Sequence, residues 1–226
     1  KLAEYNDPRL SRAFITKQGT SGKEQAPGTA DNAVYAPNGT PEQGTSKYGT
    51  SLFMYSISAP TLLLSYHELK FLEAEALCRL ERDAKSALKD AVVAGLLNAE
   101  NSFTISRKEL GKTLINAASS ITEAEAESYF DNTIEAKYTA EPLKTTMTQK
   151  YFALWGASGE ATESYNDVRR MKGLGENFIE LKNPNSFPLR CPYGNSDTTT
   201  NAEVKAAYGN GQYVYSENVW WAGGSR

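Results

Sequence analysis

The stretch "SYHELKFLEAEALCRLERDAKSALKDAVVAGLLNA", residues 65–99, decides the fold class. Ser65 precedes an apolar series, Glu68 follows it by three residues and Pro60 lies just upstream, which together mark a capped helix start. Leu69, Leu72, Ala76 and Leu80 recur at helical spacing, and Tyr66, Phe71 and Leu77 widen the stripe. The spacing predicts a helix that turns this face inward. "ERD" at 81–83 breaks the pattern, after which Ala84, Leu88 and Ala91 stand at i, i+4 and i+7 of a second helix. Such small–large–small spacing lets antiparallel helices approach closely, as in tetratricopeptide pairs. Only the second helix fits that consensus well, because the first lacks its Trp–Leu–Gly part.

Working outward, "TEAEAESYFDNTIEAKY" predicts another helix, with Thr122 as cap and Glu125 completing a capping box. "AEPLKTTMTQKYFALWG" follows, with Leu143, Met147, Tyr151 and Leu154 on one face. Gly156 to Gly159 makes a turn, and "EATESYNDVRRMKG" gives a last long helix ending at Gly173. Residues 1–60 are mostly irregular, with strands expected at "RAFIT" and at "SLFMYSI". The segment between those strands is dense in Gly, Pro, Thr and Asn, and loops of this length are usually functional or mobile. Beyond Gly175 only "NAEVKAAYG" reads as a short helix. The expected class is mostly α: tetratricopeptide-like helix pairs with long irregular loops and few short strands. Residues 1–60 form a loop-rich segment, 61–173 a helical-repeat scaffold and 174–226 an irregular C-terminal segment.

The 226 residues carry a formal charge of −3, with 40% hydrophobic and 23% charged side chains. That composition is globular, and the acidic balance argues against a dedicated nucleic-acid binder. No apolar run approaches the roughly 20 residues that span a bilayer. The start, "KLAEYNDPRLSR", has no apolar core of a signal peptide, so the natural protein is expected to begin upstream of Lys1. Cys78 reads as a small buried hydrophobe, and a Cys78–Cys191 disulfide is left open by the spacing. Thirteen tyrosines beside loops rich in Asn, Thr, Ser and Gly supply flat apolar faces with amide and hydroxyl partners.

No catalytic constellation is legible. "HELKF" begins like a zinc-protease motif but lacks a histidine four residues after His67, so His67 reads as a helix-surface or capping residue and no metal is expected. "KGLGENF" fails the dinucleotide pattern at its last position and follows a helix, so its glycine reads as a helix stop. Glu73/Glu75 and Glu123/Glu125/Glu127 read as solvated helix faces rather than acid–base pairs. Arg169 and Arg170 suit either an anionic ligand or a local ion pair with Asp167, and the ion pair is preferred. The expected protein is not an enzyme and uses no cofactor.

Taken in order, "YNDPRL", "APTLLLSYHELKFLEAEAL", "MTQKYFALWG" with "ESYNDVRRMKG", "FPLRCPYG" and the closing "VWW" resemble the C-terminal half of the SusD/RagB family, in its shorter WW-terminated branch. These are surface glycan-binding lipoproteins of Gram-negative glycan foragers. The resemblance implies a helical scaffold whose irregular loops bind oligo- or polysaccharide. It also implies a TonB-dependent, SusC-like transporter as partner, and an outward-facing position at the outer membrane. The membrane would be contacted through a lipid anchor outside this chain. The family's lipoprotein signal and N-terminal half are missing, so the chain is expected to be part of a longer protein. The rival readings are a helical-repeat protein-docking module and a peptide-capturing homologue.

Binding residues vary with the glycan in this family, so the site rests on chemistry. Tyr35 and Tyr48 lie in the polar loop with no core periodicity to claim them, and Asn32 and Asn38 are the nearest amides. Gln149, Asp167, Arg169, Arg170 and Arg190 match family landmarks and read as structural. Trp220 and Trp221 alone would suggest a stacking platform. As the family's closing "VWW" they are expected instead to plug the fold, one indole in a core and the other under a loop.

Overall fold

The computed structural model describes residues 1–18, 23–25, 50–110, 120–181 and 186–224. They fall into two units, Lys1–Glu180 and Leu181–Arg226. The first runs through a 3-10 turn (Ala3–Tyr5), α1 (Arg9–Arg12), β1 (Phe14–Gln18), β2 (Lys23–Gln25), β3 (Thr50–Ser51), a 3-10 turn (Leu52–Tyr55), α2 (Tyr66–Arg79) and α3 (Lys85–Leu110). It continues with α4 (Glu123–Tyr129), a π-helical turn (Phe130–Ile134), α5 (Glu135–Ala140), α6 (Pro142–Leu154) and α7 (Ala161–Gly173). The class is the expected one, mostly α with few short strands.

The start of α2 is where the sequence puts it: Ser65 Oγ accepts from the Glu68 amide at 3.1 Å. Glu68 does not complete the box, because Glu160 of the α6–α7 turn takes the Ser65 amide. The buried face of α2 differs from the expected stripe. Phe71 and Ala74 are fully buried beside His67, Glu68 and Glu75, whereas Leu69, Leu72 and Leu80 are exposed. The reason is α6, which packs on α2 and buries Thr146, Gln149 and Lys150, so hydrogen-bonding residues of both helices turn inward together. His67 is therefore interior, not a surface residue, and Glu75 is not on a solvated face.

Ala84, Leu88 and Ala91 are buried as their spacing predicts, in a cluster with Phe71, Phe130, Ile134 and Ala153. α3 approaches α6 at Gly95, where an added Cβ would lie 3.0 Å from Ala153 Cβ. It also runs on past Ala99 to Leu110. Phe103 there joins Ala13, Leu52 and Ala99 in a second cluster, and Ser106 Oγ donates to the Leu52 carbonyl at 2.7 Å. "SLFMYSI" accordingly does not continue as a strand: the Ser51 hydroxyl accepts from the Phe53 amide and caps a 3-10 turn that delivers Leu52 to this cluster. The Thr122–Glu125 capping box is complete, at 3.2 Å and 2.8 Å. α6 is buried nearly all round, wider than one apolar face, because α2, α3, α5 and α7 surround it. α7 ends at Gly173 as expected, and Gly175 sits at φ +77°, a helix stop.

In the second unit, α8 (Asn195–Thr200) and α9 (Ala202–Tyr208) precede a 3-10 turn at Trp220–Ala222. Asn201 caps α9 by accepting from the Glu203 amide at 3.0 Å. α8, "NSDTTT", has no apolar periodicity and was not legible. Cys78 and Cys191 are both free thiols. Cys78 is half-buried with Sγ 3.7 Å from Thr146 Oγ1.

Candidate functional site

Three places in the described residues hold chemistry. The first is a cleft of about 480 Å³ between α2 and α7, lined by Glu68, Leu72, Glu75, Arg79, Lys150, Glu163, Asp167 and Arg170 among others. Its cations are neutralised in place. Buried Lys150 Nζ lies 2.8 Å from Asp167, Arg170 Nη2 donates to Asp167 and Glu75 at 2.8 Å each, and Arg79 bridges Glu75 and Glu176. Burial alone would raise the Glu75 carboxyl, but the two guanidinium hydrogen bonds hold it below the usual range. Arg170 is thus the structural ion pair expected from its neighbour Asp167, and Arg169 instead lies on Tyr165, 5.7 Å from the ring centroid.

One end of the cleft is a carboxyl clasp. Glu160 holds the Ser65 amide, and His67 Nε2 stands 3.7 Å from its other oxygen. Burial, then the charge of Glu160 and a hydrogen bond to it, push the Glu68 carboxyl up to about 7, against the pull of Lys150. Burial likewise lowers His67, opposed by Glu160. The clasp faces the interior, with Glu160 only 2% exposed, so it joins α2 to the α6–α7 turn rather than meeting a substrate. Gly159 permits that joint: at φ +87° an added Cβ would lie 2.2 Å from the Leu62 carbonyl oxygen. Nothing in the spacing of Glu68 and Glu160 announces this pair.

The second place is the base of the polar segment 26–49. Tyr35, Tyr48, Asn32 and Asn38 lie outside the described residues, but the residues flanking their segment, Gln25 and Thr50, are both paired in the sheet. β1 is the middle strand, antiparallel to β2 and β3, with Gln25 opposite Thr16 and Thr50 opposite the adjacent Ile15. β2 was not foreseen; it sits inside what the sequence presents as unbroken loop. The sheet is anchored from α1: Arg12 pairs with Glu100 of α3 in the interior (Nε–Oε2 2.8 Å), and Asp7 holds Arg9 through two bonds of 2.8 and 2.6 Å. Tyr129 donates to Asp7 at 3.3 Å, tying the same turn to α4.

The third is the aromatic C-terminal unit. Tyr193 and Tyr208 stack at 4.3 Å, Arg190 lies over Tyr193 at 4.9 Å, and the Leu189 and Tyr193 amides donate to Val214 and Gly211. Trp220 and Trp221 stand apart from this packing, 72% and 69% exposed. The pair sits on a 3-10 turn, and neither indole packs into the aromatic cluster of its own unit. Among the described residues no group of three His, Cys, Asp or Glu side chains is arranged to hold a metal ion.

A family model described as SusD-like, "Starch-binding associating with outer membrane", matches residues 1–193. The chain belongs to the SusD-like family. A SusD/RagB family protein from Bacteroides thetaiotaomicron is 64% identical at a TM-score of 0.86, the match covering 100% of this chain and 48% of that one. A SusD homologue from Bacteroides fragilis matches at 18% identity and TM-score 0.57, over 97% of this chain and 49% of that one. An outer-membrane protein from Bacteroides vulgatus, linked to nutrient binding, matches at 21% identity and TM-score 0.59, over 97% and 49%. The last two show the fold alone. The chain thus spans about half the length of these SusD-like proteins, and no curated protein matches it. The landmark "YNDPRL" of this SusD-like chain is the Asp7–Arg9 clamp, and "QK" and "DVRR" supply the Lys150–Asp167–Arg170 lattice.

Proposed function

We propose that the chain is the C-terminal part of a non-catalytic, cell-surface oligosaccharide-binding subunit. It passes its ligand to a TonB-dependent, SusC-like transporter at the outer membrane, where the full-length protein faces outward on a lipid anchor. The observation that supports this best is the clamp on segment 26–49. Its flanking residues Gln25 and Thr50 pair with adjacent positions on opposite sides of β1, which sets them about 10 Å apart, two strand spacings. Pairing of both flanking residues on one strand, around a segment whose sequence carries Tyr35, Tyr48, Asn32 and Asn38, suits sugar recognition, where ring faces stack on tyrosine and hydroxyls bond to amides. The family description as starch-binding points the same way.

A glycan array on the full-length protein tests the reading. Binding of an oligosaccharide, lost in Y35A/Y48A, supports it; no binding to any glycan overturns it. A protein-docking role has one observation in its favour, the exposed stripe of Leu63, Leu64, Leu69, Leu72 and Leu80. That role predicts transporter association that survives Y35A/Y48A but is lost when the stripe is made polar.

A further inference from the structure

The connector between the 3-10 turn at Leu52–Tyr55 and α2 is fastened at both ends, by different chemistry. At its start the Ile57 and Ser58 amides donate to Glu109 of α3 at 3.0 Å each. Those bonds hold the Glu109 carboxyl below the usual range, so it stays charged at neutral pH and this fastening does not titrate there. At the other end the Leu62 amide donates to the Ser158 carbonyl at 2.7 Å, and the Ser65 amide donates to Glu160. Leu63 and Leu64 are exposed and Leu62 is only half-buried, so little packing backs these two bonds.

This second fastening stands on a pair of carboxyls. Glu160 gives one oxygen to the Ser65 amide and turns the other toward His67 Nε2, and Glu68 is hydrogen-bonded to it. A carboxyl can donate to a carboxylate only while it holds its proton, and Glu160 is the acceptor, so Glu68 is the donor. Once that proton leaves, two anions share a buried place, and the groups facing them are already committed. His67 of α2 is lowered by burial and stays neutral as the pH rises. Lys150 of α6 and Arg170 of α7 bind Asp167, Arg170 and Arg79 bind Glu75, and Arg9 of α1 binds Asp7. Glu163 of α7 adds a further negative charge. The cleft between α2 and α7, which Glu68 lines and Glu160 does not, is open to the ionised side chain.

We propose that Glu68 and Glu160 form a pH-operated catch on residues 61–65. The proton between the two carboxyls keeps the connector closed on the α6–α7 turn. Its loss turns Glu68 into the cleft and releases the Leu62 and Ser65 amides, while the Glu109 fastening holds as the hinge. The catch is closed in acid and opens as the pH rises through neutrality, the sign required of a carboxyl whose proton is held more tightly in the folded state. Opening frees the chain that leads from β3 to α2. The catch involves no ligand and stands apart from the glycan-binding reading.

The test is hydrogen–deuterium exchange of the full-length protein at about pH 5.5 and about pH 8.5, with each rate divided by the intrinsic rate at that pH. A peptide covering residues 59–66 reports the catch, and one covering 50–58 is the reference. Wild type should lose about tenfold in protection at 59–66 at the higher pH, with the reference unchanged. E68Q keeps a neutral donor beside Glu160, and E160Q removes the second charge, so each should abolish the pH dependence. The readout is a difference between two pH values within one protein, which a variant that is merely less stable does not imitate. Equal protection at both pH values in wild type overturns the catch. A loss that persists in E68Q, or that spreads equally to the reference peptide, overturns it as well.

Discussion

Replacing Glu68 by glutamine probes the clasp between α2 and the α6–α7 turn. The folded protein holds this carboxyl near 7, above its ordinary 4.5, through burial and the neighbouring Glu160. A group raised on folding contributes stability that is fully present below its unfolded value and is lost as pH rises through the folded one. The window is therefore about 4.5 to 7. At about 1.4 kcal/mol per pH unit, the gap amounts to at most about 3.4 kcal/mol once the carboxyl ionises. Glu68 lines an open cleft, so solvent screening reduces this to about 1–2 kcal/mol. Glutamine keeps a neutral hydrogen-bonding group beside Glu160 and never ionises. E68Q should match wild type at pH 4.5 and melt about 2–8 °C higher at pH 8.5, at about 2–4 °C per kcal/mol for a chain of this size. His67, Glu160, Glu163, Lys150 and Arg9, which surround the clasp, are common to both proteins and largely cancel in the difference. Thermal unfolding followed by circular dichroism across pH 4.5–8.5 reads it. A difference that is flat with pH, or that favours wild type at pH 8.5, would refute the reasoning.

Other outcomes follow from the same geometry. G159A places a Cβ against the Leu62 carbonyl at a positive φ, so it should cost about 1–3 kcal/mol, seen as a lower denaturant midpoint with unchanged slope. R12A strips Glu100 of its interior partner at a cost of about 3–5 kcal/mol, and hydrogen exchange should accelerate first in β1 and at residues 50–55, which that pair anchors. A Y35A/Y48A variant should lose about tenfold in glycan affinity, read by calorimetric titration of the full-length protein.

How far the sequence could be read differs element by element. The helix starts at Ser65 and Thr122 and the stop at Gly173 were legible because caps and glycines act locally. The buried face of α2 was not, because Leu69, Leu72 and Leu80 fit helical spacing as well as Phe71 and Ala74 do, and the polar groups of α6 make the choice. The extension of α3 through "NSFTISRKEL" runs against propensity and is held by Phe103 and Ser106. The clasp of Glu68 and Glu160 joins residues far apart in the chain, which no local pattern reveals. The family landmarks identified the fold because they are buried pairs such as Asp7–Arg9 and Lys150–Asp167. The candidate glycan contacts were chosen for their chemistry, since they carry no packing signal at all. The 3-10 turn at Trp220–Ala222 was not legible either, because its main-chain bonds follow no side-chain pattern.

The central claim is the proposal that this SusD-like chain belongs to an oligosaccharide receptor whose polar segment, flanked by strands paired with β1, touches the sugar. Isothermal titration of the full-length protein with its array-selected glycan, in wild type and Y35A/Y48A, tests it most directly. The account predicts saturable binding by wild type and at least a tenfold loss in the variant. Equal affinities in the two proteins would contradict it, as would no heat of binding with any glycan.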